Sequence, residues 1–147
     1  MTAPASPDLA ALLAEWSEFS FSSFTHDDAW RLGTAIRDIA VDRSLPVSIH
    51  IRLGEQLVFH SALPGTSADN DDWIARKIRT ALRFARPSMA IELSPDITWL
   101  DERVYARAGG CVPVRVNGAI VGTATVSGLS SIDDHDLVIE GMRSLLA

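Results

Sequence analysis

The sequence predicts an α+β domain built around an antiparallel sheet. Two pairs of alternating, apolar-rich segments are each joined by a tight turn, which is hairpin pairing and not the long crossover that parallel strands need. Helical periodicity is confined to stretches that flank those hairpins. A chain of 147 residues, 47% apolar, has the length and the apolar content for one domain with its own core.

The elements follow in order. Residues 1–7 carry two prolines among small residues and read as a short disordered lead, with a single domain over 8–147. Asp8 is placed to cap a first helix over 8–18, whose face is Leu9, Leu12, Leu13 and Trp16. Thr25 with Asp28 three residues on forms a capping-box pattern for a second helix over 26–43, with Ala29, Leu32, Ile36, Ile39 and Ala40 as its stripe. Pro46 ends the helical signal, and residues 47–53 alternate strictly, so they form a strand that returns over 57–62. A third helix spans 70–86 on Ile74, Ile78, Ala81, Leu82 and Ala85. Pro87 and Pro95 break the following stretch, which has room for a helical turn over 89–93 and a third strand over 103–108. Residues 112–116 and 119–127 make a second hairpin through Asn117-Gly118, a pair that favours a type I′ turn. The last helix covers 132–146 behind Ser131. The tryptophans on helices, Trp16, Trp30 and Trp73, read as core.

Composition narrows function. Thirteen basic against 19 acidic residues give a net charge of −6, which argues against nucleic acid and against an anionic membrane surface as partner. One cysteine, Cys111, cannot form an intrachain disulfide or a Cys-based zinc site, and the expected compartment is the cytoplasm. No apolar run approaches the roughly 20 residues of a membrane span, and the N-terminus lacks a basic signal-peptide region. The charge is unevenly spread. Residues 76–86 hold five of the 13 basic groups and no acid, leaving the rest of the chain at −11.

Four constellations could carry chemistry. If Leu53 matches Leu57 and Ile51 matches Phe59 around a three-residue loop, His50 falls directly opposite His60, where two imidazoles could meet a metal or haem iron. A two-residue loop would shift that register and separate them. Arg76, Arg79, Arg83 and Arg86 form a basic stripe on the third helix, suited either to an acidic ligand or to simple dipole complementarity and subunit salt bridges. Asp133-Asp134-His135-Asp136 opens the last helix. Neighbours on a helix point about 100° apart, so the four cannot converge on one ion, and capping is the alternative. Gly109-Gly110 follows a strand without opening a helix and reads as a bend, with Cys111 buried beside it.

Three stretches taken together carry a resemblance. They are Gly65-Thr66 … Asp69-Asn70 … Trp73 … Arg76-Lys77; then Tyr105 … Gly109-Gly110 … Pro113-Val114; then Val126-Ser127-Gly128-Leu129 … Asp133-Asp134-His135-Asp136-Leu137-Val138. With Phe24, Asp28-Ala29 and Leu32-Gly33 they resemble the haem-degrading-domain family, the GlcG/HbpS-like proteins, and most closely its small stand-alone members, over about residues 21–145. The resemblance implies a profilin-like α/β/α fold with a five-stranded antiparallel sheet and a homo-oligomer built from dimers. It also implies haem or a related tetrapyrrole as ligand in some relatives.

Three functions follow as expectations. The first is a binding module for haem or a similar tetrapyrrole. His50 or His60 would be its axial ligand and Arg76 and Lys77 would face acidic groups, with Asp69, Asn70, Trp73 and His135 as further family-matched positions and no protein-held metal ion. The second is an oligomeric interaction protein without ligand chemistry. The third is an enzyme on a small acidic metabolite, with Arg76 holding a carboxylate and His135 as acid/base, although no nucleophile–base–orienter set is legible.

Overall fold

The computed structural model describes residues 8–146, and the expected lead over 1–7 lies outside them. The elements run α1 (Leu9–Ser17), β1 (Ser20–Phe21), α2 (His26–Asp42), β2 (Ser48–Leu53), β3 (Gln56–Ala62), α3 (Ala68–Phe84), α4 (Ser88–Glu92), β4 (Cys111–Val116), β5 (Ala119–Ser127) and α5 (Ser131–Leu146). The strands form one sheet in the order β1-β4-β5-β2-β3. Helices α2 and α5 pack on one face, and α3 with α4 on the other. The alternation of β2 puts Ile49 and Ile51 into the larger core, which Val112, Val114, Ala124 and Val126 share with Leu32 and Ile36 of α2 and Val138 of α5. The opposite face meets α3 through a smaller cluster of Ile74, Ile78, Ala81 and Cys111.

Local signals place the helices well. The Asp8 side chain accepts from the Ala10 amide, and the Thr25–Asp28 capping box forms. Helix α3 begins earlier than its apolar stripe suggests, because Ser67 caps it and Asn70 completes a second capping box. It ends at Phe84, where Ala85 turns left-handed with φ 54°. Helix α5 begins at Ser131, and the hydroxyl that accepts the Asp133 amide is that of Ser130, one residue before the expected cap.

Among the described residues the sheet has five strands, but the expected set is corrected twice. Residues 103–108 form no strand. Their backbone is engaged by α3: the Ala106 amide donates to Arg76 O, and Thr80 Oγ1 donates to Ala106 O. The fifth strand is β1, two residues too short to show a period, and it pairs parallel with β4. The sheet is therefore mostly antiparallel, not wholly so. The tryptophan reading is corrected as well: Trp16 is buried, whereas Trp30 and Trp73 are exposed. Trp16 packs with the larger core, and its indole N–H donates to Pro113 O of β4.

Candidate functional site

Two clefts gather most of the polar side chains singled out above. The first lies between the β2–β3 hairpin and α3. His50 pairs across the hairpin with His60, and Ile51 with Phe59, as the apolar alternation requires. The loop is only two residues, Gly54-Glu55, which alone would separate the histidines. A bulge beyond Ile51 shifts the register back by one, so Arg52, not Leu53, faces Leu57. The imidazoles meet edge to face with centroids 6.0 Å apart. They line a cleft of about 540 Å³ with Arg52, Asp71, Ile74 and Ile78.

The two histidines differ in state. His60 Nε2 lies 3.2 Å from Asp71 Oδ1 at the mouth. His50 sits deeper, and its Nδ1 is buried without a partner among the described residues. Burial pushes the His50 pKa down to about 4, with neighbouring His60 and Arg52 acting in the same direction. His50 is thus neutral near pH 7, the form that can coordinate a metal. Arg52 Nε is also buried without a partner among those residues.

The second cleft, about 270 Å³, opens between the first turns of α3 and α5. Asp69 and Trp73 flank it, and Asn70, Lys77, Ser127 and Asp134 also line it. Lys77 and Asp134 form a buried ion pair, Nζ to Oδ2 2.9 Å, and Lys77 Nζ also donates to Val126 O at 3.0 Å. The other Asp134 oxygen accepts the Leu129 amide. Burial raises the Asp134 pKa, while the Lys77 charge and these hydrogen bonds pull against it. Asn70 uses its oxygen to cap α3 and its Nδ2 to donate to Ser127 Oγ at 3.1 Å. The glycine pair gives Lys77 its room: a Cβ on Gly110 would lie 2.7 Å from Lys77 Nζ.

The eight positions marked in the sequence therefore divide three ways. His50 and His60 line the first cleft, and Asp69, Asn70, Trp73 and Lys77 the second. Arg76 and His135 line neither. Arg76 bonds Asp72 at 2.9 Å, stacks over the Trp73 ring and donates to Glu102 O. Two more arginines of its stripe are occupied in the same way: Arg79 donates to Val104 O, and Arg83 lies over the rings of Trp99 and Tyr105. These arginines hold the segment after α4 against α3. His135 is wholly buried, neither ring nitrogen has a partner among the described residues, and burial lowers its pKa to about 4.

Comparison with known proteins settles the kinship. The model of haem-degrading, HbpS-like proteins matches residues 24–143. The chain belongs to the HbpS-like family. A UPF0303 protein of Streptomyces coelicolor is 40% identical over 154 residues, covering 99% of this chain and 98% of its own. One from Edwardsiella ictaluri is 43% identical over 147 residues, covering 94% of each. Among solved structures, the Ybr137w protein superposes with a TM-score of 0.86 at 30% identity, over 94% of this chain and 87% of its own. A PduOC:heme complex superposes with a TM-score of 0.69 at 17% identity, over 83% of this chain and 94% of its own, a likeness of fold alone.

Within this HbpS-like chain, sequence reasoning missed Arg52 and Asp71 in the first cleft and offered Asp134 a triad or metal reading beside His135, or a capping role, but not its pairing with Lys77 in the second. Arg52 was hidden because an alternating strand presents any polar residue as outward-facing. Asp134 was hidden because first-turn acids are ordinary on helices, and its partner is 57 residues away. Among the described residues, no group of three or more His, Cys, Asp or Glu side chains is placed to hold a metal ion.

Proposed function

We propose that this HbpS-like protein is a small-molecule-binding module that takes haem or a related metallo-tetrapyrrole in the cleft between β2–β3 and α3. The observation that carries the reading is the His50 ring: a neutral imidazole beside His60, lining a cleft of about 540 Å³. Two histidines without further ligands are a poor site for a bare ion, but a tetrapyrrole brings four nitrogen ligands and needs one imidazole from the protein. His60 is tied to Asp71 through Nε2, so His50 would be the residue that holds the metal, with His60 beside it. Ile74 and Ile78 supply apolar contact, and Arg52 takes the role toward acidic groups that Arg76 and Lys77 cannot fill from their observed positions. Haem in the PduOC complex, a protein of like fold, is consistent with this ligand class.

The reading includes a homo-oligomer built from dimers, working in the cytoplasm. Exposed Trp30 against Phe59, beside the edge strand β3, supports an interface there.

Hemin titration followed at the Soret band tests the proposal. A saturable shift at one equivalent per chain, lost in His50→Ala and weakened in Arg52→Ala, is expected. No saturable shift, or one unchanged in His50→Ala, overturns it.

A further inference from the structure

Lys77 is the only lysine in a chain with twelve arginines. The one buried cation in the Lys77–Asp134 pair is thus also the one primary amine among the basic side chains. Salt-bridging alone would not require that choice, since arginine is the better partner for a buried carboxylate by its fork of donors. The site is built for something compact: Gly110 leaves the ammonium its space, and Asp134 stands 2.9 Å from it. The pair is not sealed off. It lines a cleft with Trp73, Asn70 and Ser127. Ser127 Oγ accepts from Asn70, which leaves its hydroxyl proton to be donated elsewhere.

We propose that Lys77 is the nucleophilic amine of a second site, which forms an imine with a small aldehyde or ketone bound in this cleft. Asp134 takes one proton from the Lys77 ammonium, and the freed nitrogen lone pair attacks the carbonyl carbon. The carbonyl π bond breaks, and its oxygen takes a proton from the attacking nitrogen, which returns to neutrality and gives a carbinolamine. Asp134 then returns its proton to the carbinolamine hydroxyl, the C–O bond breaks, and water leaves. The product is an iminium on Lys77 that keeps one N–H and one positive charge, so the ion pair with Asp134 survives the reaction. The nitrogen gives up its bond to Val126 O, and the Ser127 hydroxyl is available to a polar group on the ligand. A volume of about 270 Å³ limits the carbonyl compound to a small metabolite. The two clefts share no lining residue, so this site stands apart from the proposed tetrapyrrole site.

Reductive trapping tests it. The intact protein is incubated with propanal and cyanoborohydride at pH 7.5, and peptide mass mapping follows the adduct at Lys77, in the folded chain and in the chain unfolded in urea. A lysine that only supports the fold is protected by folding. The proposed nucleophile is instead trapped faster when folded, by roughly tenfold or more. Trapping at Lys77 that is equal or slower in the folded chain overturns the proposal. Ser127→Ala, which keeps the ion pair, separates the ligand site from the fold: a slowed adduct with unchanged circular dichroism supports the cleft as the binding site, and an unchanged rate overturns binding of the carbonyl compound there.

Discussion

Lys77 Nζ lies 2.9 Å from Asp134 Oδ2 and ties the middle of α3 to the first turn of α5, with both side chains almost wholly out of water. A third anchor, Val126 O, fixes the ammonium to the end of β5. This is one small volume through which two helices and a strand are held together.

Removing one partner leaves the other charged and buried. Lys77→Ala should destabilise the fold by about 3–5 kcal/mol, whereas Lys77→Met with Asp134→Leu should lie much closer to wild type. Urea denaturation of the single and double variants measures the difference. A double variant as unstable as the sum of its singles would show that the two residues do not act as a pair.

Gly110 adopts φ +138°, and a Cβ there would meet Val126 O as well as Lys77 Nζ. Gly110→Ala should therefore cost about 2 kcal/mol or more through backbone strain and displacement of the ammonium. Gly54→Ala has open space around its added methyl, so the strain of φ +54° is its only penalty. Thermal melts should rank Gly110→Ala as the more damaging of the two.

His50 and His135 both have folded pKa values near 4, below the ordinary value of 6.5. Between those values the unfolded chain binds protons that the folded chain does not. Stability is therefore full above pH 6.5 and falls as pH drops toward 4, by on the order of 3 kcal/mol for His135. Asp134, whose pKa burial raises, acts in the opposite sense. Denaturant midpoints at pH 7.5, 6 and 5 should fall in that order, and His135→Leu should flatten the slope.

Burial pushes the Cys111 thiol pKa up to about 12, so almost no thiolate exists at neutral pH. Iodoacetamide labelling of the native protein should be slow and should accelerate sharply at the unfolding midpoint. Rapid labelling in buffer would place Cys111 at the surface instead.

What was legible in the sequence was whatever a few neighbouring residues determine. Asp8 and the Thr25–Asp28 box announced two helix starts because a cap is a contact over two or three residues. The Asn117-Gly118 turn was equally local, and both residues take positive φ. His50 opposite His60 was readable because burying Ile51 against Phe59 fixes which residues share a face. The bulge that restores that pairing after a two-residue loop was not readable, since nothing in the residues marks where a strand takes one extra.

The tertiary structure alone decided the rest. Strand β1 exists because β4 offers an edge, not because two residues carry a pattern. The arginine stripe reads as a surface for an acidic partner until the segment carrying Trp99, Glu102 and Tyr105 folds onto it. His135 reads as a solvent-facing neighbour of acids, yet α5 turns it inward, where desolvation and not the adjacent carboxylates governs its charge. Lys77 and Asp134 each look like ordinary helix-surface charges in isolation. Only the packing of α3 and α5 against β5 removes them from water and makes them a pair, because burial is a property of the assembled layers and no short stretch of chain encodes it.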